Sequence, residues 1–325
     1  MPINLKAIQP HKVSKDLSGY ITYIYGPGGA GKTTFGVATE KPLLLAFEKG
    51  YNALPGVYPQ DITTWGEMKQ VLRQLDDPEV KDMFKTIIID TVDIASQLCE
   101  KYICSQLGIE NIGDGGWTVN GWSKVKKEWE STFRAITMKG YAVVFISHSK
   151  DKTFKRKDGT EYNQTVPSCS TAYNEIIKNM SDIEGYINIQ DGIRTLILRS
   201  ADDSVECKCR FSQIASEIPF SYQSLVDALY EAIEKEAKIT NGAYVTEERE
   251  KIVDAPTYDY DSLMSEFEML ISSLMSENQM YYTPRITEII DKYLGKGKKV
   301  SDATRDQAEL IYLIVDEIKT TLIQK

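Results

Sequence analysis

Histidine is almost missing from this chain, with two in 325 residues. That scarcity excludes sites built from clustered imidazoles, the usual way of holding a catalytic zinc. Cysteine is sparse as well: five in all, none spaced as CxxC. An odd thiol count without paired spacing gives no disulfide framework, and the five read as reduced thiols in a cytoplasm. No apolar run approaches the roughly 20 residues of a membrane span, and the opening MPINLKAIQPHKVSKD holds no signal-peptide core. No membrane partner is expected. Internal repeats and low-complexity tracts are also absent.

Positive charge is in deficit, 38 Lys and Arg against 47 Asp and Glu, a net −9. The deficit is local. Residues 1–214 hold 26 of each sign, while residues 215–325 hold 12 cations against 21 anions and so carry the whole imbalance. A neutral front with basic loops is compatible with a polyanion partner, without demanding one.

What is present is strand–helix alternation. YITYIYG (20–26), PLLLAFE (42–48), KTIIID (85–90) and YAVVFISH (141–148) are short apolar runs, each closed by a glycine or polar residue. Continuous apolar strands separated by helical stretches predict an α/β fold with a mainly parallel sheet covered on both faces. GYINIQ, RTLILRS and VECKCRF alternate more, as a meander added at one edge would. Leu225, Leu229, Ala232 and Ile233 mark a helix over 221–237. Three amphipathic patterns follow 259, with a basic GKGKK turn at 295–299. The expected organisation is an N-terminal segment (1–18), a core (19–237), an acidic linker (238–258) and a small helical tail domain (259–325).

GPGGAGKT fits G-x-x-x-x-G-K-[ST] and lies between a strand and a helix, where that motif must lie. Gly26, Pro27, Gly28, Gly29, Ala30 and Gly31 form a turn whose backbone N–H groups can surround phosphate oxygens. Lys32 reaches the β- and γ-phosphates of ATP, and the Thr33 hydroxyl joins a Mg²⁺ shell, with Thr34 completing the loop's contacts. Asp90, ending four apolar strand positions, can hold the same Mg²⁺ through a water. Thr91 stands where many P-loop ATPases carry a catalytic Glu. The base must then come from elsewhere, and Glu48 at the end of the next strand is the candidate; its alternative is a solvent-facing loop residue. Asp93 reads as the cap of the following helix. His148 ends a strand at the same edge, either sensing the γ-phosphate or capping the strand.

These residues, in this order, resemble the RecA/RadA/KaiC class of P-loop ATPases, and more narrowly phage-encoded RecA-like ATP-binding proteins linked to recombination and single-strand annealing. The similarity covers about residues 18–230. It implies Glu48 as catalytic carboxylate, Asp90 as the Mg²⁺ position and His148 as sensor. In KCRF it implies a Lys-x-Arg finger, Lys208 and Arg210, inserted into a neighbouring subunit's site, and hence a homo-oligomeric ring or filament. A phage or host replication or recombination protein would meet the tail, and a phage-encoded chain would work in a bacterial cytoplasm.

In such proteins two axial loops grip single-stranded DNA. Here they correspond to 108–122 and 149–168, the second carrying Lys150, Lys152, Phe154, Lys155, Arg156 and Lys157. Cations that track phosphates and rings that stack on bases are what sequence-tolerant binding needs. A solvated hairpin is the plainer reading. Cys207 and Cys209 supply only half of a tetrahedral zinc site, and Cys99, Cys104 and Cys169 have no spacing that completes it. On a strand the two thiols would share the buried face, with Lys208 and Arg210 opposite. Two other activities stay open on the sequence: a P-loop small-molecule kinase, and a nucleotide-gated scaffold or loader with little turnover.

Overall fold

The computed structural model describes residues 5–16, 19–114, 116–247 and 257–323. It divides into two compact units, Met1–Ile252 and Val253–Lys325.

The first unit is built on β1 (Val13–Ser14), β2 (Ile21–Gly26), α1 (Lys32–Val37), β3 (Pro42–Ala46), β4 (Pro59–Asp61), α2 (Trp65–Gln74), α3 (Pro78–Met83), β5 (Thr86–Asp90), α4 (Val92–Leu107), α5 (Gly116–Val119) and α6 (Gly121–Met138). It continues through β6 (Ala142–Lys155), β7 (Glu161–Pro167), α7 (Thr171–Met180), β8 (Ile183–Gln190), β9 (Ile193–Ile197), β10 (Lys208–Cys209), β11 (Glu217–Pro219), α8 (Tyr222–Ile239) and β12 (Val245–Thr246). The sheet runs β11-β9-β8-β2-β6-β5-β3-β4, parallel from β8 to β4. This is the α/β architecture the apolar runs predict.

Why the strands are apolar throughout follows from the two faces. Tyr23, Leu45, Ile87, Ile89, Val143 and Phe145 bury against the helices of one layer, while Ile24, Leu44, Ala46, Ile88, Val144 and Ile146 bury in the other. Alternate residues point to opposite faces, so a strand covered twice is apolar at most positions, and the buried polar exceptions such as Ser147 and Glu184 are few. On the first face Trp129 packs against Phe133 and Tyr173, with ring centroids 4.6 and 5.5 Å apart, which fastens α6 and α7 to the sheet. The Thr64 hydroxyl and the Glu67 carboxylate complete a capping box that starts α2.

Three expectations shift. GYINIQ belongs to the parallel sheet through β2–β8 pairing, and the antiparallel meander begins only with β9. VECKCRF forms just a two-residue ladder with β8; Cys207 and Cys209 are both half-buried, and Cys209 packs against the core of the second face. The core does not stop at 237. Val245–Thr246 pairs in parallel with Val13–Ser14, and Lys15 joins Glu234 and Glu247 at 2.6 and 2.8 Å. Paired backbone and ion pairs hold the chain beyond 237 to the first unit. Residues 1–4, 17–18 and 248–256 of the expected N-terminal segment and linker lie outside the described residues.

The second unit contains α9 (Tyr260–Leu294) and α10 (Ala308–Ile318). Asn278 interrupts α9 with non-helical φ −158°, and its side chain accepts from the Tyr281 N–H at 3.1 Å, capping a new helix. Leu263, Leu274, Ile286, Ile289, Ile311 and Ile314 form this unit's own core.

Candidate nucleotide site at the carboxyl edge of the sheet

Parallel pairing brings four strand ends to one edge. Gly26 lies opposite His148, and Ala46 lies opposite Asp90, with Glu48 two residues further on. A cavity of about 290 Å³ opens there, lined by Gly29–Thr34, Glu48, Gly50, Asp90, Thr91 and His148 among others. The edge beyond the strand ends, where the order of connections reverses around β2, is the usual ligand crevice of such sheets.

Gly31 stands at φ +95°, a conformation that costs a side-chain-bearing residue strain, and it turns the loop into α1. The Lys32 side chain is buried and folds back, donating to the carbonyls of Gly26 and Pro27 at 3.0 and 2.8 Å. Burial pulls its pKa below the ordinary lysine value, against the opposing pull of Asp90, Asp93 and Glu48. An ammonium held on two neutral carbonyls is poised for exchange onto a better acceptor, such as a phosphate.

The Thr33 hydroxyl donates to Asp90 Oδ2 at 2.7 Å. Burial raises the Asp90 carboxyl above its usual range, an effect the Thr33 bond and Lys32 counter. A side chain at Gly50 would begin 3.2 Å from Thr33 Oγ1 and 3.9 Å from Asp90 Oδ2. The missing Cβ leaves room beside a hydroxyl and a carboxylate, a hard-oxygen donor set that fits Mg²⁺. The residues present therefore suit a Mg²⁺-nucleotide.

Glu48 is gripped on both oxygens. Thr91 donates its hydroxyl to Oε1 at 2.6 Å, and His148 Nε2 lies 3.2 Å from Oε2. Glu48 and Thr91 follow the ends of β3 and β5, whereas His148 does not end its strand: it lies within β6, where β6 leaves the parallel sheet and runs on into the hairpin. Thr91, at the position where many P-loop ATPases carry a Glu, thus orients the Glu48 carboxylate.

Asp93 is not a helix cap. Thr91 occupies the N-cap position of α4, and the Asp93 carboxylate instead accepts from Ser147 Oγ at 3.1 Å, from the His148 N–H at 3.2 Å, and from Ser168 Oγ. It ties the sensor strand to the exit of the β6–β7 hairpin. Spacing alone cannot find such a hub, because its partners lie more than 50 positions away. Gly50 and Arg194 were likewise invisible in the sequence; the Arg194 Nη1 lies 3.4 Å from where a Gly31 side chain would start.

The remaining candidates lie elsewhere. Residues 149–167 form a regular hairpin that extends the core strand β6. On one face Phe154 stacks on Tyr162 with centroids 5.6 Å apart, Lys152 covers Phe154 and Arg156 covers Tyr162, each at 4.8 Å. Lys150 donates to Ser168 O and Lys152 to Thr171 Oγ1. Lys155, in register with Glu161, takes the other, exposed face, and Lys157 is exposed in the turn. Of the other loop expected, 108–122, residue 115 lies outside the described residues, and α5 and the start of α6 take up 116–119 and 121–122.

Lys208 and Arg210 sit at the opposite edge of the sheet from Lys32, since Lys208 pairs with Glu184 at the start of β8. Neither projects freely. The Lys208 ammonium donates to the carbonyls of Lys178 and Ser181 at 2.7 and 2.9 Å, and Arg210 binds Asp182 and Asn179 O, both at 3.1 Å. The unsatisfied carbonyls at the end of α7 attract both cations. Among the described residues no three or more His, Cys, Asp or Glu side chains come together as a metal-holding group, so Cys207 and Cys209 gain no such partners.

No helix among the described residues is long and apolar enough to cross a membrane. Over 336 aligned positions, spanning 100% of both chains, the sequence is 32% identical to the SPbeta prophage-derived uncharacterized protein YorG of Bacillus subtilis (strain 168). The family described as AAA domain matches residues 18–211, from just before β2 to just past the Lys208–Arg210 pair. With its phosphate loop, Thr33–Asp90 pair and strand order assembled at one edge, the chain belongs to the AAA domain family of P-loop ATPases.

Proposed function

We propose that the chain is a Mg²⁺-dependent, RecA-like ATPase that assembles as a ring or filament and acts on single-stranded DNA in phage-type recombination, repair or replication. The grip of Thr91 and His148 on Glu48 carries this reading. It offers a positioned base beyond β3 rather than directly after Asp90, as the RecA-like resemblance implies. The prophage origin of the YorG relative supports the phage setting, and with it a bacterial cytoplasm.

Lys32 exchanges its two carbonyls for β- and γ-phosphate oxygens, where its charge counts most as the transition state spreads negative charge over the transferred group. Thr33, and Asp90 through a water, would hold the Mg²⁺ of the nucleotide, which would supply charge neutralisation on the phosphates. Glu48 takes a proton from the water whose oxygen bonds to the γ-phosphorus as the bond to the β-bridging oxygen breaks and ADP leaves. His148, touching Glu48 and bonded through its N–H to Asp93, links the γ-phosphate to the hairpin that bears the DNA-binding cations. Lys208 and Arg210 act in trans on a neighbour's γ-phosphate once they leave the end of α7. The second unit docks a phage or host replication protein.

The test is phosphate release with and without a single-stranded oligonucleotide. Stimulation by DNA is expected. Lys32→Ala should abolish turnover, and Glu48→Gln should retain bound ATP. Mixing Lys32→Ala with Arg210→Ala subunits should restore turnover that neither has alone. An acceptor phosphorylated without DNA would mean a kinase, and bound ATP with negligible release would mean a scaffold.

A further inference from the structure

The phosphate loop has a second flank. Beyond β2, away from Glu48, Asp90 and His148, β9 brings Arg194 against the loop. The Arg194 Nη1 stands 3.4 Å, and Phe220 Cε1 3.6 Å, from the point where a Gly31 side chain would begin. The backbone fixes both: the Phe220 N–H donates to Arg194 O at 3.0 Å, and Arg194 pairs in register with Ile189 of β8. Phe220 stacks on Phe35 of α1 with centroids 5.3 Å apart and an interplanar angle of 8°, so this flank packs against the helix into which the loop runs.

Among the described residues no carboxylate, carbonyl or ring partners the Arg194 guanidinium. The guanidinium is exposed and stands beside the phosphate loop at Gly31, where it is open to an anion bound in the loop. A planar, permanently charged fork is also suited to two phosphate oxygens at once.

We propose that Arg194 is a second phosphate-contacting cation of this site, supplied by the same chain, gripping the polyphosphate of a nucleoside triphosphate from the β9 side while Lys32 holds it from within the loop. Glu48 and Asp90 take the γ-phosphate end, and Arg194 takes oxygens nearer the nucleoside. The inference rests on the nucleotide-binding reading above and deepens it.

Binding of ATP, ADP and inorganic tripolyphosphate to the full chain, by calorimetry, tests it. Arg194→Ala should weaken all three about 10-fold, the scale of one charge-assisted hydrogen bond, and Arg194→Lys should recover part of the loss. Arg194 is exposed and bonds to nothing through its side chain, so the thermal midpoint should not move. Unchanged affinities would overturn the proposal, as would weaker ATP and ADP binding with tripolyphosphate unaffected, since the contact would then be with the nucleoside. A wild-type chain that binds no ATP sinks the functional reading together with this one; wild-type binding that Lys32→Ala abolishes and Arg194→Ala leaves alone sinks this one only.

Discussion

At the scale of single residues, Glu184 is the most exposed to chemical change, because it is fully buried and neither carboxyl oxygen has a hydrogen-bond partner among the described residues. Burial, reinforced by Glu206, pushes its pKa from 4.5 to about 8, despite Lys178 at 3.8 Å and Lys208. The native chain therefore keeps a proton that the unfolded chain releases. The stabilisation is full below about pH 4.5 and fades as pH rises to about 8, by about 5 kcal/mol. Glu184→Gln should flatten that decline, which urea midpoints at pH 5 and pH 8.5 would measure. Parallel wild-type and variant profiles would mean that Glu184 is ionised in the native state. Glu184 was not legible beforehand: a glutamate in IEGYINIQ reads as the polar half of an alternating strand, and only the α7 and β10 cover makes it a core residue. Lys32, Thr33 and Asp90 were legible because their spacing is the chemistry. Glu48 could be named from its place at a strand end once Thr91 stood where a Glu is usual, whereas only the fold brings the partners of Asp93 together.

At the scale of elements, α7 spans the distance between the two surfaces proposed to meet DNA and a neighbouring subunit. Its first turn meets Lys152 through Thr171, and its last carbonyls hold Lys208 and Arg210. A shift of the β6–β7 hairpin on DNA would thus bear on the residues proposed to reach a neighbour. The hairpin itself divides its cations. Lys150 and Lys152 already bond to the protein, and Arg156 lies over Tyr162, whereas Lys155 and Lys157 are exposed and bond to nothing among the described residues. Replacing Lys155 and Lys157 with Ala should weaken oligonucleotide binding and make its salt dependence shallower by about 1.4 in log–log slope, given about 0.7 per phosphate contact on single strands. Anisotropy titrations across salt concentrations would show it; an unchanged slope would move the contact, with Lys296, Lys298 and Lys299 next in line. Long elements were readable from periodicity. The two-residue strands β10 and β12 were not, since two positions define no period and tertiary pairing alone makes them strands.

At the scale of the whole molecule, the chain folds as two units with separate cores, and the first is closed by its own ends, Val13 on Val245 and Lys15 on Glu247. That closure sets an order of events during synthesis. Every strand of the large sheet has been made before β12 exists, so at about 5–20 residues per second the N-terminal strand waits roughly 10–50 s for its partner. Through that interval β1 is an unpaired edge, open to proteases and to other chains. A fragment ending at Thr240 should therefore be cut by trypsin at Lys12 and Lys15 while its sheet stays intact, and a fragment ending at Ile252 should resist. Equal cleavage of the two would mean that the strand is held by something other than β12. In the cell, the last stretch of the first unit to be translated would then be the signal that its first is safe.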